Sequence, residues 1–260
     1  MTRSHGRLEG RTALVTGSTG TIGRAVALAF AAEGAHVVVS GRDEARGKAV
    51  VAAAEEGGGR ADFVRADLDG STAASHALAA EAAQRVGGRL DVLVNNAGIF
   101  PPATTLSADE ATFDRVYGVN VKAAFFLTQA VVPGMIEAGG GAVINLGSWV
   151  ARLGVPSGAL YASTKGALET LTRAWAAEFG PRGVRVNAVS PGVIRPPDLG
   201  PDEVFPGESL MLGTPAGRPG HPDAIAAAAV HLASDESWFT HGTVVDVDGG
   251  RTGVAVAVPA

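Results

Sequence analysis

The stretch Thr16-Gly17-Ser18-Thr19-Gly20-Thr21-Ile22-Gly23 joins a short apolar run, residues 12–16, to a segment in which Ile22, Val26, Ala29 and Phe30 recur at helical spacing. A strand that passes through a Gly-rich turn into a helix offers an anion free backbone N–H groups and the positive end of a helix dipole. Glycine there permits a tight turn and lets the backbone approach a pyrophosphate closely. Alone the motif is weak, because Gly, Ser and Thr also build ordinary strand-to-helix turns. Its weight comes from the rest of the chain.

Beyond the turn the chain alternates β-branched runs with Ala-rich helical stretches, the pattern of a parallel sheet covered by helices on both faces. Strands are expected at 12–16, 36–40, 61–66, 91–95, 142–146, 184–188 and 243–247. Their centres are apolar at consecutive positions (Val37, Val38, Val39), as strands buried on both faces require. Helices are expected at 21–33, 43–55, 72–86, 109–137, 157–179 and 222–234. The expectation is a Rossmann-type, doubly wound α/β fold with a mostly parallel seven-stranded sheet.

Residues 195–222 break the rhythm with seven of the 14 prolines and a short apolar cluster, Leu210, Met211 and Leu212. A loop this long inside a compact domain usually serves binding, so a substrate loop is placed at about 195–221. No linker, repeat or composition shift divides the 260 residues, and one domain is expected. With no Cys there is no disulfide or thiolate chemistry. The formal charge of −5, without a basic run, argues against a nucleic-acid partner. No stretch approaches the roughly 18 uninterrupted apolar residues of a membrane span, and residues 1–10 lack a signal peptide's apolar segment. A cytoplasmic protein without a membrane partner is the expectation. The six His form no metal-ligand spacing, so no metal is expected.

Tyr161 and Lys165 stand four apart in the fifth helical stretch and therefore share a helix face. A phenol, with a pKa of about 10, is a poor base at neutral pH. A nearby ammonium favours the phenolate and allows proton exchange with a substrate oxygen. The bland reading is an exposed Tyr beside a solvated Lys.

With this pair the sequence resembles the one-domain branch of the short-chain dehydrogenase/reductase family over nearly its whole length. The matching pieces come in family order: the Gly-rich turn, Asp67-Leu68, Asn95-Asn96-Ala97-Gly98, Asn120, Ser148, Tyr161-x-x-x-Lys165 and Ser190-Pro191-Gly192. The ending, with Gly217-Arg218-Pro219-Gly220, Leu232-Ala233-Ser234-Asp235 and Asp246-Val247-Asp248-Gly249-Gly250, also matches. The resemblance implies an enzyme that interconverts a ketone and a secondary alcohol with a nicotinamide cofactor.

It also implies roles. Tyr161 exchanges the proton with the substrate oxygen, which Ser148 holds. Lys165 lowers the Tyr161 pKa and bonds the nicotinamide ribose, and Asn120 positions Lys165 through a water. The cofactor-binding set is Gly17, Thr19, Gly20, Thr21, Ile22, Ser40, Arg42, Asp67, Leu68, Asn95, Ala97, Gly98, Tyr161, Lys165, Pro191, Gly192 and Ile194. Arg42 follows the second strand where an acid would read the ribose of NAD, so NADP(H) is favoured over NAD(H). The competing reading makes Arg42 a solvated first-turn residue beside the capping Asp43. Phe100, Trp149, Leu153, Val155, Phe205 and Met211 are expected around the substrate, with core packing the alternative for Trp149. Relatives imply a homodimer or homotetramer built on the helices at 109–137 and 157–179.

Three departures stand out. Thr21 occupies the place of the branch's middle glycine, Pro196 follows Arg195 where relatives often carry Thr, and Gly147 replaces a common Ser. Thr21 and Pro196 favour an alternative from another class, a dinucleotide-binding sensor or scaffold without turnover. The retained Ser148, Tyr161 and Lys165 argue against it.

Overall fold

The computed structural model describes residues 6–156, 158–200, 203, 205 and 207–255. Ser157, expected to open the fifth helix, and the tail beyond 255 lie outside them. Among the described residues seven strands, β1 (Thr12–Val15), β2 (His36–Gly41), β3 (Arg60–Arg65), β4 (Val92–Asn95), β5 (Gly141–Leu146), β6 (Val184–Pro191) and β7 (Val244–Val247), form one sheet in the order β3-β2-β1-β4-β5-β6-β7. Every pairing is parallel. The chain winds outward from β1 to β3 and returns to lay β4 on the other side of β1. That reversal opens a crevice at the carboxyl ends of β1 and β4, where ligands of such sheets bind.

Seven helices, again among the described residues, cover the sheet: α1 (Thr21–Ala32), α2 (Glu44–Glu56), α3 (Thr72–Arg85), α4 (Glu110–Tyr117), α5 (Ala123–Glu137), α6 (Ala159–Phe179) and α7 (Pro222–Ala233). Strand alternation divides the apolar side chains between the two faces. Val15, Val37, Val39, Val94 and Ile144 meet Val26 and Phe30 of α1 and Ile225 and Val230 of α7. Leu14, Val38, Leu93, Val143 and Val186 meet Leu78 of α3, Leu127 and Met135 of α5 and Trp175 of α6. Fully burying a side chain such as Phe30 contributes about 2–3 kcal/mol.

Local capping explains several helix starts. Asp43, Ser71 and Asp109 each accept a hydrogen bond from the backbone N–H three residues on, opening α2, α3 and α4. The long helix expected at 109–137 is interrupted: Gly118–Lys122 forms a π-helical turn between α4 and α5. The combined run Glu110–Glu137 is long and apolar enough to cross a membrane by composition. Its Leu127, Val131 and Met135 are spent on the core instead.

The Gly-rich turn is tied to the end of β4. The Thr16 hydroxyl accepts from the backbone N–H of Asn96 and Ala97, both at 3.0 Å, and the Asn96 amide donates to the carbonyls of Thr16 and Gly17. A Cβ on Gly17 would stand 2.9 Å from the Ala97 Cα, so only glycine allows this approach. Thr21, at φ 41°, is the one non-glycine at positive φ among the described residues. A β-branched residue in that region is strained, and here it stands where the branch has glycine.

Relief of this strain is measurable. Left-handed backbone costs an L-residue roughly 1–2 kcal/mol, partly offset by the extra freedom glycine gives the unfolded chain. Thr21→Gly is expected to stabilise the protein by about 1 kcal/mol, or roughly 2–4 °C in Tm. Thermal unfolding of the two proteins checks it.

Candidate active site

At the crevice a cleft of ≈ 670 Å³ opens between the Gly-rich turn and the ends of β2, β3 and β4. Eight of the expected cofactor-binding residues line it: Gly17, Thr19, Ser40, Arg42, Asp67, Leu68, Ala97 and Gly98. Gly41, Ile99, Val119 and Lys122 line it as well, without a sequence motif to mark them. Gly41 had a signal only in three dimensions: a Cβ there would stand 2.6 Å from the Thr19 methyl. The Arg42 side chain is 59% exposed, its Nε 4.0 Å from an Asp67 carboxylate oxygen. The glycine-lined approach at Gly17 and the size of the cleft fit a dinucleotide.

Other expected cofactor residues are placed differently. Thr21 opens onto a separate groove between α1 and α7, beside Arg24, Pro197 and His221. Gly20 caps α1, and Ile22 packs onto the core. Asn95 is buried within the sheet, its amide donating to Asn145 at 2.9 Å and Thr128 at 3.2 Å, so it serves as a cross-strand tie. Pro191 pairs with Val247, and Gly192 lies so close to Asp248 that a Cβ would meet its Cα at 2.5 Å. Ile194 bridges to Gly220. These three set the course of the chain leaving β6.

The four catalytic candidates converge beside the cleft. The Tyr161 and Ser148 hydroxyls are neighbours, close enough for Ser148 to draw the phenol's pKa downward. Lys165, one turn along α6, is 4% exposed and donates to the Leu146 carbonyl at 2.7 Å, with its Nζ 5.5 Å from the Tyr161 ring centre. Asn120 sits in the π-helical turn. Its side chain accepts from the Ile99 N–H at 2.8 Å and donates to the Ile99 carbonyl and the Thr164 hydroxyl, both at 3.1 Å. The widened turn thus aims one amide at the β4 loop and at α6 together, and π-bulges often mark functional positions.

Burial dominates the electrostatics. It pushes the Tyr161 phenol up to about 12, with the Ser148 hydrogen bond pulling the other way. It brings the Lys165 ammonium down to about 8. The expected lowering of Tyr161 by Lys165 is absent from this arrangement. The lysine charge is itself disfavoured and is directed at a backbone carbonyl, so desolvation of the phenol prevails.

On the substrate side, Trp149 and Met211 are buried and pack with Val193 in a small apolar cluster, with Val155 and Phe205 half-buried against it. Met211 and Trp149 therefore act as packing beneath the loop rather than as open pocket wall. Leu153 and Phe100 are exposed, and Phe100 stacks on Tyr161 with ring centres 4.5 Å apart. Arg195 ion-pairs with Glu208 and donates to the carbonyls of Gly200 at 2.7 Å and Glu203 at 2.8 Å. It folds the substrate loop upon itself. Among the described residues no cluster of three or more His, Asp or Glu side chains is placed to hold a metal.

Comparison with known proteins agrees with this geometry. A family model described as enoyl-(acyl carrier protein) reductase matches residues 17–252. The chain is 37% identical over 244 residues to a 3-oxoacyl-[acyl-carrier-protein] reductase of Thermotoga maritima, covering 94% of this chain and 98% of that one. A solved structure of a short chain dehydrogenase/reductase family protein superposes with a TM-score of 0.84 at 43% identity, over 95% of this chain and 100% of that one. A Beutenbergia cavernae structure, described as a candidate NAD(P)-dependent gluconate 5-dehydrogenase with NADP bound at low occupancy, gives 0.87 at 37% identity over 95% and 98%. With its parallel sheet, its Gly-rich crevice and Ser148, Tyr161 and Lys165 gathered beside it, the chain belongs to the short-chain dehydrogenase/reductase family of oxidoreductases.

Proposed function

We propose that the protein interconverts a ketone and a secondary alcohol using NADP(H), with Tyr161 as the general acid/base. The observation that carries this reading is Tyr161 set beside Ser148 and one turn from the buried Lys165, whose Nζ would stand 3.7 Å from a Cβ on Gly98 in the cleft wall. When bound, the nicotinamide supplies or accepts the hydride.

In reduction the Ser148 hydroxyl donates to the substrate oxygen and stabilises the charge developing there. The Tyr161 O–H then gives that oxygen its proton. A phenol held near 12 by burial is fully protonated at neutral pH and ready to donate. Lys165, tied to the Leu146 carbonyl, keeps further donors to offer a ribose hydroxyl. Asn120 holds the Ile99 backbone and Thr164, fixing the wall between cleft and helix α6.

Arg42 supports NADP over NAD. It lines the cleft beside Gly41, with no carboxylate on Ser40 or Gly41 to accept from a ribose hydroxyl, and a guanidinium pairs well with a phosphate. The exposed Phe100 stacked on Tyr161 supports a substrate with an apolar flank, such as a ketone on a ring or acyl chain. The exposed Phe125 beside Trp175 lines a groove with Val132, Pro133 and Ile136 on α5 and α6, which supports a dimer or tetramer joined there.

Three measurements test the proposal. Nicotinamide absorbance against a ketone panel should show NADPH oxidation, lost by at least about a thousandfold in Tyr161→Phe; turnover that survives the substitution rules Tyr161 out as acid. Reductive kcat/KM should be level near neutrality and fall above pH about 8, where Lys165 loses its proton, well before Tyr161 ionises at about 12. A profile without that limb contradicts the assignment. Arg42→Ala should raise KM for NADP by about tenfold or more, the worth of a charge-assisted hydrogen bond, while leaving NAD unchanged.

A further inference from the structure

Helix α6 grips the chain just ahead of Ser148 with two side chains on successive turns. Lys165 donates to the Leu146 carbonyl at 2.7 Å. Glu169, four residues on and 6% exposed, lays its carboxylate against the next residue, Gly147. A Cβ at 147 would stand 3.2 Å from the Glu169 Oε1, closer than side chains ordinarily pack. The missing side chain at Gly147, one of the sequence's departures, is thus matched by a buried acid.

The far end of the same segment is held by Arg152. Residues Trp149–Ala151 form a single 3₁₀ turn capped by Ser148. Arg152, directly after it, makes a two-pronged ion pair with Asp246 of β7, donates to the Ser190 hydroxyl of β6 at 3.1 Å, and brings its Nε to 3.9 Å from the Glu169 Oε1. That oxygen has no hydrogen-bond partner among the described residues. Leaving a buried carboxylate oxygen unpaired is costly, so packing alone does not account for an acid at this position.

We propose that Glu169, acting through Gly147 and Arg152, is a positioning residue that sets the Ser148 turn in register with Tyr161. The inference rests on the reading of Ser148 and Tyr161 as the groups that meet the substrate oxygen. Glu169 and Lys165 fix the entry to the turn from one helix, and Arg152 fixes its exit to two strands. Three elements with independent places in the fold thereby determine where the Ser148 hydroxyl points.

The charged groups around Glu169 are Arg152 from the turn, Arg173 from its own helix and Asp246 from β7. Burial holds its carboxyl above the usual carboxylate range, against the pull of Arg152 and Arg173 and with Asp246 adding to the rise. Protonation then releases Arg152 from Glu169 at a pH above that at which exposed acids titrate.

The test uses the full-length enzyme with NADPH and its best ketone. Glu169→Gln, which keeps shape and removes charge, should lower kcat by about tenfold with KM for NADPH unchanged. It should also abolish an acid limb in the kcat profile. Gly147→Ala should lower kcat in the wild-type background but not in Glu169→Ala, where the added methyl fills vacated space. Trp149 emission, isolated by difference from Trp149→Phe, should shift in Glu169→Gln and Gly147→Ala. Emission needs no turnover, so it decides the positioning role even if Tyr161 fails its own test. Wild-type kcat, pH profile and emission in Glu169→Gln overturn the proposal. So does a lowered Tm with those three unchanged, or simple additivity of the Gly147 and Glu169 substitutions.

Discussion

The exchange of hydrogen bonds between Thr16 and Asn96 is the constraint on which the site depends. One hydroxyl receives two amides of the β4 loop, and one side-chain amide returns to two carbonyls of the β1 turn. The two strands at the topological reversal are thereby locked at their carboxyl ends. That closeness forces glycine at 17, opens the dinucleotide cleft on one side and directs Ala97 and Gly98 toward Lys165. A Cβ on Gly98 would stand 3.7 Å from the lysine Nζ. The cleft and the Tyr161–Lys165 site are therefore neighbours because one turn is pinned to another.

Beside that pinned turn, low polarity shapes the chemistry. Burial moves Tyr161 and Lys165 in opposite directions, each toward its neutral form. On the proposed assignment, a neutral phenol is the form required of the acid in reduction. Running the reaction toward the ketone requires the phenolate, which needs positive charge that the resting arrangement directs elsewhere. On that assignment the electrostatic asymmetry gives the two directions different pH demands from a single pair of residues.

The fold was legible because the strands are buried on both faces, and short runs of consecutive β-branched residues such as Val37–Val39 suit little but a central strand. Tyr161, Lys165 and the Gly-rich turn stood out because their spacing carries chemistry, and Ser148 only through the family resemblance. The π-helical turn was not legible: Gly118–Lys122 falls inside the single helix expected at 109–137 and holds no proline to mark a break. Asn95 reads as part of a cofactor motif; in the fold its amide N–H groups donate to Asn145 and Thr128 on neighbouring elements. Trp149 and Met211 read as pocket wall by hydrophobicity, with core packing the alternative for Trp149; both are buried with Val193, and only the folded loop decides which side of it they occupy. Glu169 gave no sign at all, because one acid in a helix is ordinarily a solvated one.

The π-helical turn between α4 and α5 has a geometric consequence. Each added residue rotates the following helix by about 100° about its axis. Upstream, α4 reaches α6 through the Tyr117–Ser163 hydrogen bond; downstream, α5 presents Leu127, Val131 and Met135 to the sheet. A continuous α-helix could not keep both faces satisfied with these side chains. The extra residue works as a phase shifter, letting one rod serve two surfaces, with Asn120 at the place where the phase changes. In any chain built this way, gaining or losing one residue here would turn the core face of α5 toward solvent, which makes the length of this helix as tightly constrained as the identity of the residues around Tyr161.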